Sequence, residues 1–365
     1  MNYKITDIVC ILQAKCDIVH ECTVSDLLTD SRSLTFPEKT LFFALVTKRN
    51  DAHRYIGDLY RKGVRNFVVS SLPEDRKQMA DANFLLVKDT LSALQSLAAA
   101  HRKRFKIPVI GVAGSNGKTV VKEWLYQLLH EDYNMVRSPR SYNSQIGVPL
   151  SVWEIDENTE LAVIEAGISK PGEMDKLEAI IKPTFGILTY LGDAHQEGFS
   201  SMQEKCIEKL SLFTHSESVI YDGDDPLIVD SAEKMCMGTR EIAWSRKDKD
   251  RALYISKIVK GEDSTRIDYD YLRFSSSFTI PFVEDASIED AIHCLAVMLY
   301  LGKTGEEIAA RMCKLEPVAM RMEVKEGRNG CLIINDSYNS DINSLDIALD
   351  FQNRRSAARG MRRTL

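Results

Sequence analysis

The chain has 365 residues, 44% of them hydrophobic and 27% charged, with a formal net charge of -6, enough for two ordinary buried cores and part of a third in a soluble globular protein. The acidic balance excludes a broad basic surface for DNA or RNA, so no nucleic-acid partner is expected, although a few focused cations and helix N-termini can still hold an anionic ligand. Eight cysteines with no CxxC pair and no Cys/His set at zinc spacing read as reduced thiols of a cytoplasmic protein.

The first residues, MNYKITDIVCILQAK, carry an apolar run too short for a signal peptide and broken by Asp7. The trio Cys10, Cys16 and Cys22, even with His20, completes no standard metal-ligand pattern. Strands are predicted over 40–46 (TLFFALV), 65–70 (RNFVVS) and 83–87 (NFLLV), with helices over 53–62 and from 90 to about 105. That alternation predicts a small α/β domain over 1–105, without a GxGxxG dinucleotide fingerprint. Residues 107–112 (IPVIGV) then open a second domain, 106–316, as a buried parallel strand. A glycine-rich turn follows, then a helix over about 118–131, strands over 161–165 (LAVIE), 185–191 and 218–221, and a helix over 288–301. The natural reading is a doubly wound, mostly parallel sheet. The apolar run 291–302 is far short of a membrane span. Beyond Pro317 a third unit, 317–365, begins with a strand at 331–335 (CLIIN) and a helix over 344–354, and reads as the start of an incomplete α/β domain. Five arginines in the last dozen residues read as a solvated helix end and turn.

Gly114-Ser115-Asn116-Gly117-Lys118-Thr119 lies between a strand and a helix. Val112 replaces the first glycine of a full GxxxxGK[ST] pattern, but the physical essentials of a phosphate loop remain. Glycines let backbone N–H groups approach phosphate oxygens, and the helix N-terminus adds positive potential. Lys118 would reach the β- and γ-phosphates of ATP, and the Thr119 hydroxyl would ligate Mg2+. Glu165 ends the strand LAVIE and His195 follows the run FGILTYL, so both fall at carboxyl ends of strands, where such folds hold metals. Read singly, Glu165 is as well explained by exposure, His195 by a structural role, and Lys209 by a helix-surface charge.

Taken together, Gly114 to Thr119, Glu165, His195 and Lys209 resemble the Mur ligase family. The resemblance implies that Glu165 and His195 help to hold Mg2+. It also implies that Lys209 is carbamylated by CO2, with Lys205 as the other register. Arg321 and Asn335-Asp336-Ser337-Tyr338-Asn339 resemble motifs opening that family's third domain, where Arg321 and Asp336 would approach the nucleotide on closure. Further segments point to the branch that adds D-alanyl-D-alanine: Asp30-Ser31-Arg32 with residues 41–45, Val121-Lys122-Glu123, residues 142–150 from Tyr142 and Asn143, and Glu165-Ala166-Gly167 with Gly172-Glu173. Asp30, Ser31 and Arg32 would then face the UDP end of the substrate and Asn143 its sugar or peptide part; their bland readings are turn residues and a surface ion pair.

The resemblance implies an ATP-dependent amide ligase acting on UDP-MurNAc-tripeptide and D-Ala-D-Ala through an acyl phosphate, working as a monomer. The wording around the loop also resembles ligase halves fused to an alanine racemase. In place of the family's HNxxN-like motif stands Ala286-Ser287-Ile288-Glu289-Asp290, so adenine is expected to be read differently. Two other readings stay open: a nucleotide- and UDP-sugar-binding fragment without turnover, and a Mur-type ligase with another acceptor.

Overall fold

The structure, a computed structural model, describes residues 2–192, 196–235, 238–272, 274–321, 323–328 and 331–337, with isolated positions from 345 onward. Its centre is a nine-stranded sheet. From one edge the strands run Met135–Arg137, Leu161–Glu165, Val109–Ala113, Phe185–Leu188, Ser218–Asp222, Arg240–Ser245 and Leu253–Lys260, each parallel to its neighbour. Thr265–Tyr271 and Phe274–Ile280 then add on antiparallel. The inner strands VIGVA, LAVIE and FGIL are buried throughout, as continuous apolar runs must be when helices cover both faces of a sheet. The sequence-based strands therefore stand with ends moved by at most three residues, Leu161–Glu165 as predicted and Ser218–Asp222 one residue longer. The antiparallel hairpins over 253–280 are additional. Their alternation is plain in Thr265–Tyr271, where Thr265, Ile267 and Tyr269 are buried between more exposed neighbours.

Chain order explains why a crevice opens where it does. After Val109–Ala113 the chain goes outward to Met135–Arg137, returns to Leu161–Glu165, then crosses to Phe185–Leu188 on the far side. Connections leave in opposite directions at this point, so the carboxyl ends of the three central strands face an open cleft. Helix Lys118–Leu129 covers one face with Val121, Trp124, Leu125, Leu128 and Leu129, spaced as one stripe of a 3.6-residue helix. The long helix Asp285–Tyr300, buried over most of its length, joins the same core.

Asp26–Leu28, Thr40–Phe43, Asn66–Val69 and Asn83–Leu86 form a separate four-stranded sheet, wholly parallel. Helix Thr90–Arg102, capped by the Asp89 side chain on Ser92 N–H, links it to the central sheet. Trp153 stacks on Tyr3 with centroids 5.0 Å apart, and its indole N–H donates to Ser25 O at 2.8 Å. A two-stranded antiparallel pair, Glu323–Glu326 with Leu332–Asn335, follows the central sheet. Most of the helix expected over 344–354 lies outside the described residues. Among the described residues no helix is long and apolar enough to cross a membrane.

His101, at the seam between the two sheets, is 1% exposed. Its Nε2 lies 2.8 Å from Ile155 O, which can only accept, so Nε2 carries the proton and Nδ1 accepts from Tyr3 O–H at 2.8 Å. Burial lowers its pKa from the ordinary 6.5 to about 4. A histidine whose folded pKa is depressed contributes full stability above its unfolded pKa and loses it as pH falls towards the folded value. The urea midpoint should therefore fall between about pH 6.5 and 4, and His101→Gln should show a shallower slope in that window. An unchanged slope in the variant would contradict the buried neutral state.

Candidate active site

The loop after Val109–Ala113 turns sharply into helix Lys118–Leu129. Gly114 has φ +145° and Gly117 φ +86°. A Cβ on Gly114 would stand 2.0 Å from Thr189 Oγ1, and one on Gly117 would stand 2.3 Å from Asp290 Oδ1. Both positions thus need glycine for backbone conformation and for space. The segment after Phe185–Leu188 braces this loop. Ser115 N–H donates to Tyr190 O at 2.8 Å, Ser115 Oγ to Gly192 O at 2.9 Å, and Thr189 Oγ1 to Asn116 O at 2.6 Å.

Three lysine amino groups converge here. Lys118 Nζ donates to Gly114 O at 2.9 Å and Ser115 O at 2.8 Å. Lys209 Nζ, on helix Met202–Leu210, donates to Gly114 O at 2.8 Å, and Lys205 Nζ donates to Gly192 O. Lys205 is fully buried and Lys209 is 2% exposed. Burial lowers the Lys118 pKa to about 8, partly opposed by the charge of Glu165. Lys209 is driven well below the usual lysine range, first by burial and then by the charges of Lys118 and Lys205. Positive charge focused beside a helix N-terminus and open N–H groups is the electrostatic signature of a phosphate site.

Glu165 is fully buried at its strand end. Its N–H donates to Ser138 Oγ at 3.0 Å, and its Oε2 accepts from Asn143 Nδ2 at 3.4 Å. The Oε1 atom stands 3.4 Å from Lys122 Nζ yet receives no hydrogen bond among the described residues. Lys122, also fully buried, donates to Ser138 O at 2.7 Å and to Arg140 O, and pairs with Glu123 at 2.9 Å. Thr119 Oγ1 lies 3.1 Å from Ser141 Oγ. No cluster of three His, Cys, Asp or Glu side chains suited to a metal occurs among the described residues. One carboxylate with an oxygen that accepts no hydrogen bond and one hydroxyl nevertheless suit Mg2+, which takes few protein ligands alongside phosphate and water.

Two cavities flank the loop. One, of about 320 Å³, is lined by Gly114, Lys118, Asn143, Gln145, Glu173 and Lys209 among others. The other, of about 230 Å³, is lined by Asn116, Gly117, Trp124, Phe282, Arg321 and Asp336 among others. The structure therefore gathers Gly114 to Thr119, Asn143, Glu165, Lys209, Arg321 and Asp336 around one loop. His195 lies outside the described residues. Asp30, Ser31 and Arg32 line neither cavity. Asp30 caps the turn Ser31–Ser33 and forks onto Arg32 at 2.6 and 2.9 Å, and that hydrogen bonding lowers its pKa to about 2. Thr189 and Ser138 are not anticipated from sequence, whereas Asp290 closes the segment that stands in place of the HNxxN-like motif. Lys122 carries a signal, since it follows Lys118 by four residues and so shares its helix face.

Comparison with known proteins agrees with this geometry. The Mur ligase middle domain matches residues 112–298. The UDP-N-acetylmuramoyl-tripeptide–D-alanyl-D-alanine ligase of Bacillus subtilis is 30% identical over 335 residues, covering 90% of this chain and 70% of that one. The Escherichia coli protein of the same name is 26% identical, covering 90% and 72%. Among solved structures, MurF from Acinetobacter baumannii superposes with a TM-score of 0.87 at 22% identity, over 97% of this chain and 77% of that one. The MurF ligase of Thermotoga maritima, solved in complex with ADP, superposes at 0.76 with 24% identity, over 93% and 76%. Similarity to the curated ligases along nearly the whole chain and a matching central domain lead to one conclusion: the chain belongs to the Mur ligase family, within its MurF group.

Proposed function

We infer that the chain carries out ATP-driven amide-bond formation in peptidoglycan precursor synthesis, joining D-Ala-D-Ala to UDP-MurNAc-tripeptide. The observation that carries this reading is the phosphate loop with its lysine cluster, set between two cavities. ATP would lie with its phosphates on the N–H groups of residues 114–119, and the tripeptide carboxylate would enter from the side of Asn143 and Lys209. A carboxylate oxygen attacks the γ-phosphorus, the bond from that phosphorus to the bridging oxygen breaks, and ADP leaves. The amine nitrogen of D-Ala-D-Ala then attacks the acyl phosphate carbonyl, loses a proton, and phosphate departs.

Catalysis in such a reaction is mainly placement and charge neutralisation. Lys118 stabilises negative charge on the transferring group. Thr119 and Glu165 fit Mg2+, with His195 added on the family resemblance; the bound metal would offset phosphate charge as the carboxylate approaches. Lys209 is the residue for carbamylation, because CO2 adds to a neutral amine and burial favours that form. Arg321 and Asp336 would meet the nucleotide from the far cavity, and Asp30, Ser31 and Arg32 would bind the UDP end. We place the substrate-binding unit at 1–105, the ATP-binding unit at 106–316 and the start of a third unit at 317–365.

Lys118→Ala should retain the fold and lose ADP binding by at least tenfold in calorimetry with Mg2+, the scale expected when a charged hydrogen bond worth about 1.5–3 kcal/mol is removed. A variant binding as well as the parent would refute the phosphate-loop assignment. Lys122→Met leaves Glu165 and Glu123 without their internal cation. It should lower unfolding stability by about 3–5 kcal/mol, read from the urea midpoint; a change below about 1 kcal/mol would contradict the pairing.

A further inference from the structure

Asp290 sits in the second turn of helix Asp285–Tyr300, 6% exposed, on the wall of the cavity that also contains Asn116, Gly117 and Arg321. No described residue donates a hydrogen bond to its carboxyl, and Oδ1 occupies the space beside Gly117 that a side chain there would need. The group therefore points at the N-terminus of helix Lys118–Leu129, the place assigned above to the nucleotide phosphates. An ionised carboxylate there would repel phosphate and stand desolvated without a donor, two costs with the same sign. A carboxylic acid in that place is instead a donor, able to give its O–H to an acceptor on the ligand.

We propose that Asp290 is a nucleotide-contacting residue that acts in its protonated form, donating a hydrogen bond to the nucleotide beside Gly117, so that nucleotide affinity falls as the pH rises. The inference rests on the nucleotide reading of the loop. The charged neighbours divide. Lys118 from the facing helix and Arg321 from the segment after the central sheet favour ionisation. Burial is the largest influence, and with the adjacent Glu289 it holds Asp290 well above the usual carboxylate range. Glu289 is itself pushed up to about 7, by burial and then by Asp222 from strand Ser218–Asp222. Asp336 lines the same cavity.

The test is calorimetric titration of ADP with Mg2+ into the parent chain and Asp290→Asn from about pH 6 to 9, in two buffers of different ionisation enthalpy. The asparagine amide is a permanent donor of the same shape. The titration of ADP is common to both proteins, and Lys118 and Glu289 differ between them only through the charge on Asp290, so a pH-dependent ratio of their Kd values reports the ionisation of Asp290. The ratio of parent to variant should rise with pH, by at most tenfold per unit for a single proton. The parent alone should take up the corresponding proton on binding at alkaline pH. A ratio independent of pH, or a variant more than tenfold weaker throughout, would overturn the assignment of Asp290. Absence of ADP binding in both proteins at every pH would instead overturn the nucleotide reading beneath it.

Discussion

The carbonyl oxygen of Gly114 accepts from two lysines, Lys118 and Lys209, while a third, Lys205, is held one loop away on Gly192. Like charges brought so close repel, and burial removes the water that would screen them. Such a cluster persists only where the fold supplies acceptors and function supplies an anion. The rest of the site follows from that constraint. Gly114 must lack a side chain for its peptide to sit against Thr189. The segment 189–192 must be fastened to the loop by Ser115 and Thr189. Helix Met202–Leu210 must run behind the loop to deliver two of the three lysines.

A second charge arrangement, of opposite purpose, lies on the other side of Thr119. Lys122 and Glu165 are both fully buried, and each would be costly alone. Their compensation is spread over Ser138 O, Arg140 O, Glu123 and Asn143 rather than concentrated in one short contact. Lys122 therefore ties helix Lys118–Leu129 to the strand-end loop at 138–143, which carries Ser141 beside Thr119 and Asn143 beside Glu165. Any movement of that loop changes the surroundings of the carboxylate. This links the cavity on the Asn143 side to the phosphate loop through Lys122, a side chain with no part in the proposed reaction.

The sequence made the sheet's inner strands and the phosphate loop legible because both depend on local pattern. Continuous apolar runs such as VIGVA and LAVIE fit only a buried parallel strand, and two glycines before Lys118-Thr119 mark a turn with open N–H groups. The hairpins over 253–280 were not predicted, although Thr265–Tyr271 carries the alternation of a half-buried strand. Asp290 was legible only as a departure from a motif, not as a neighbour of Gly117, and Thr189 was not legible as a site residue. Their roles depend on a close approach to Gly117 and Gly114 across 173 and 75 residues of chain, a distance fixed by sheet order. Burial of Lys205 and Lys209 was hidden for the same reason, since a helix written MQEKCIEKL resembles a solvated one until its position behind the loop is known.

The proposed function sets nucleotide and the UDP-linked peptide in the two cavities on either side of the phosphate loop. The most direct measurement is calorimetry of the chain with UDP-MurNAc-tripeptide, with and without a non-hydrolysable ATP analogue and Mg2+. The account predicts that both ligands bind together at one site each, with binding of the peptide ligand lost on Asn143→Ala. Binding of the ATP analogue with no detectable binding of UDP-MurNAc-tripeptide in either condition would contradict it.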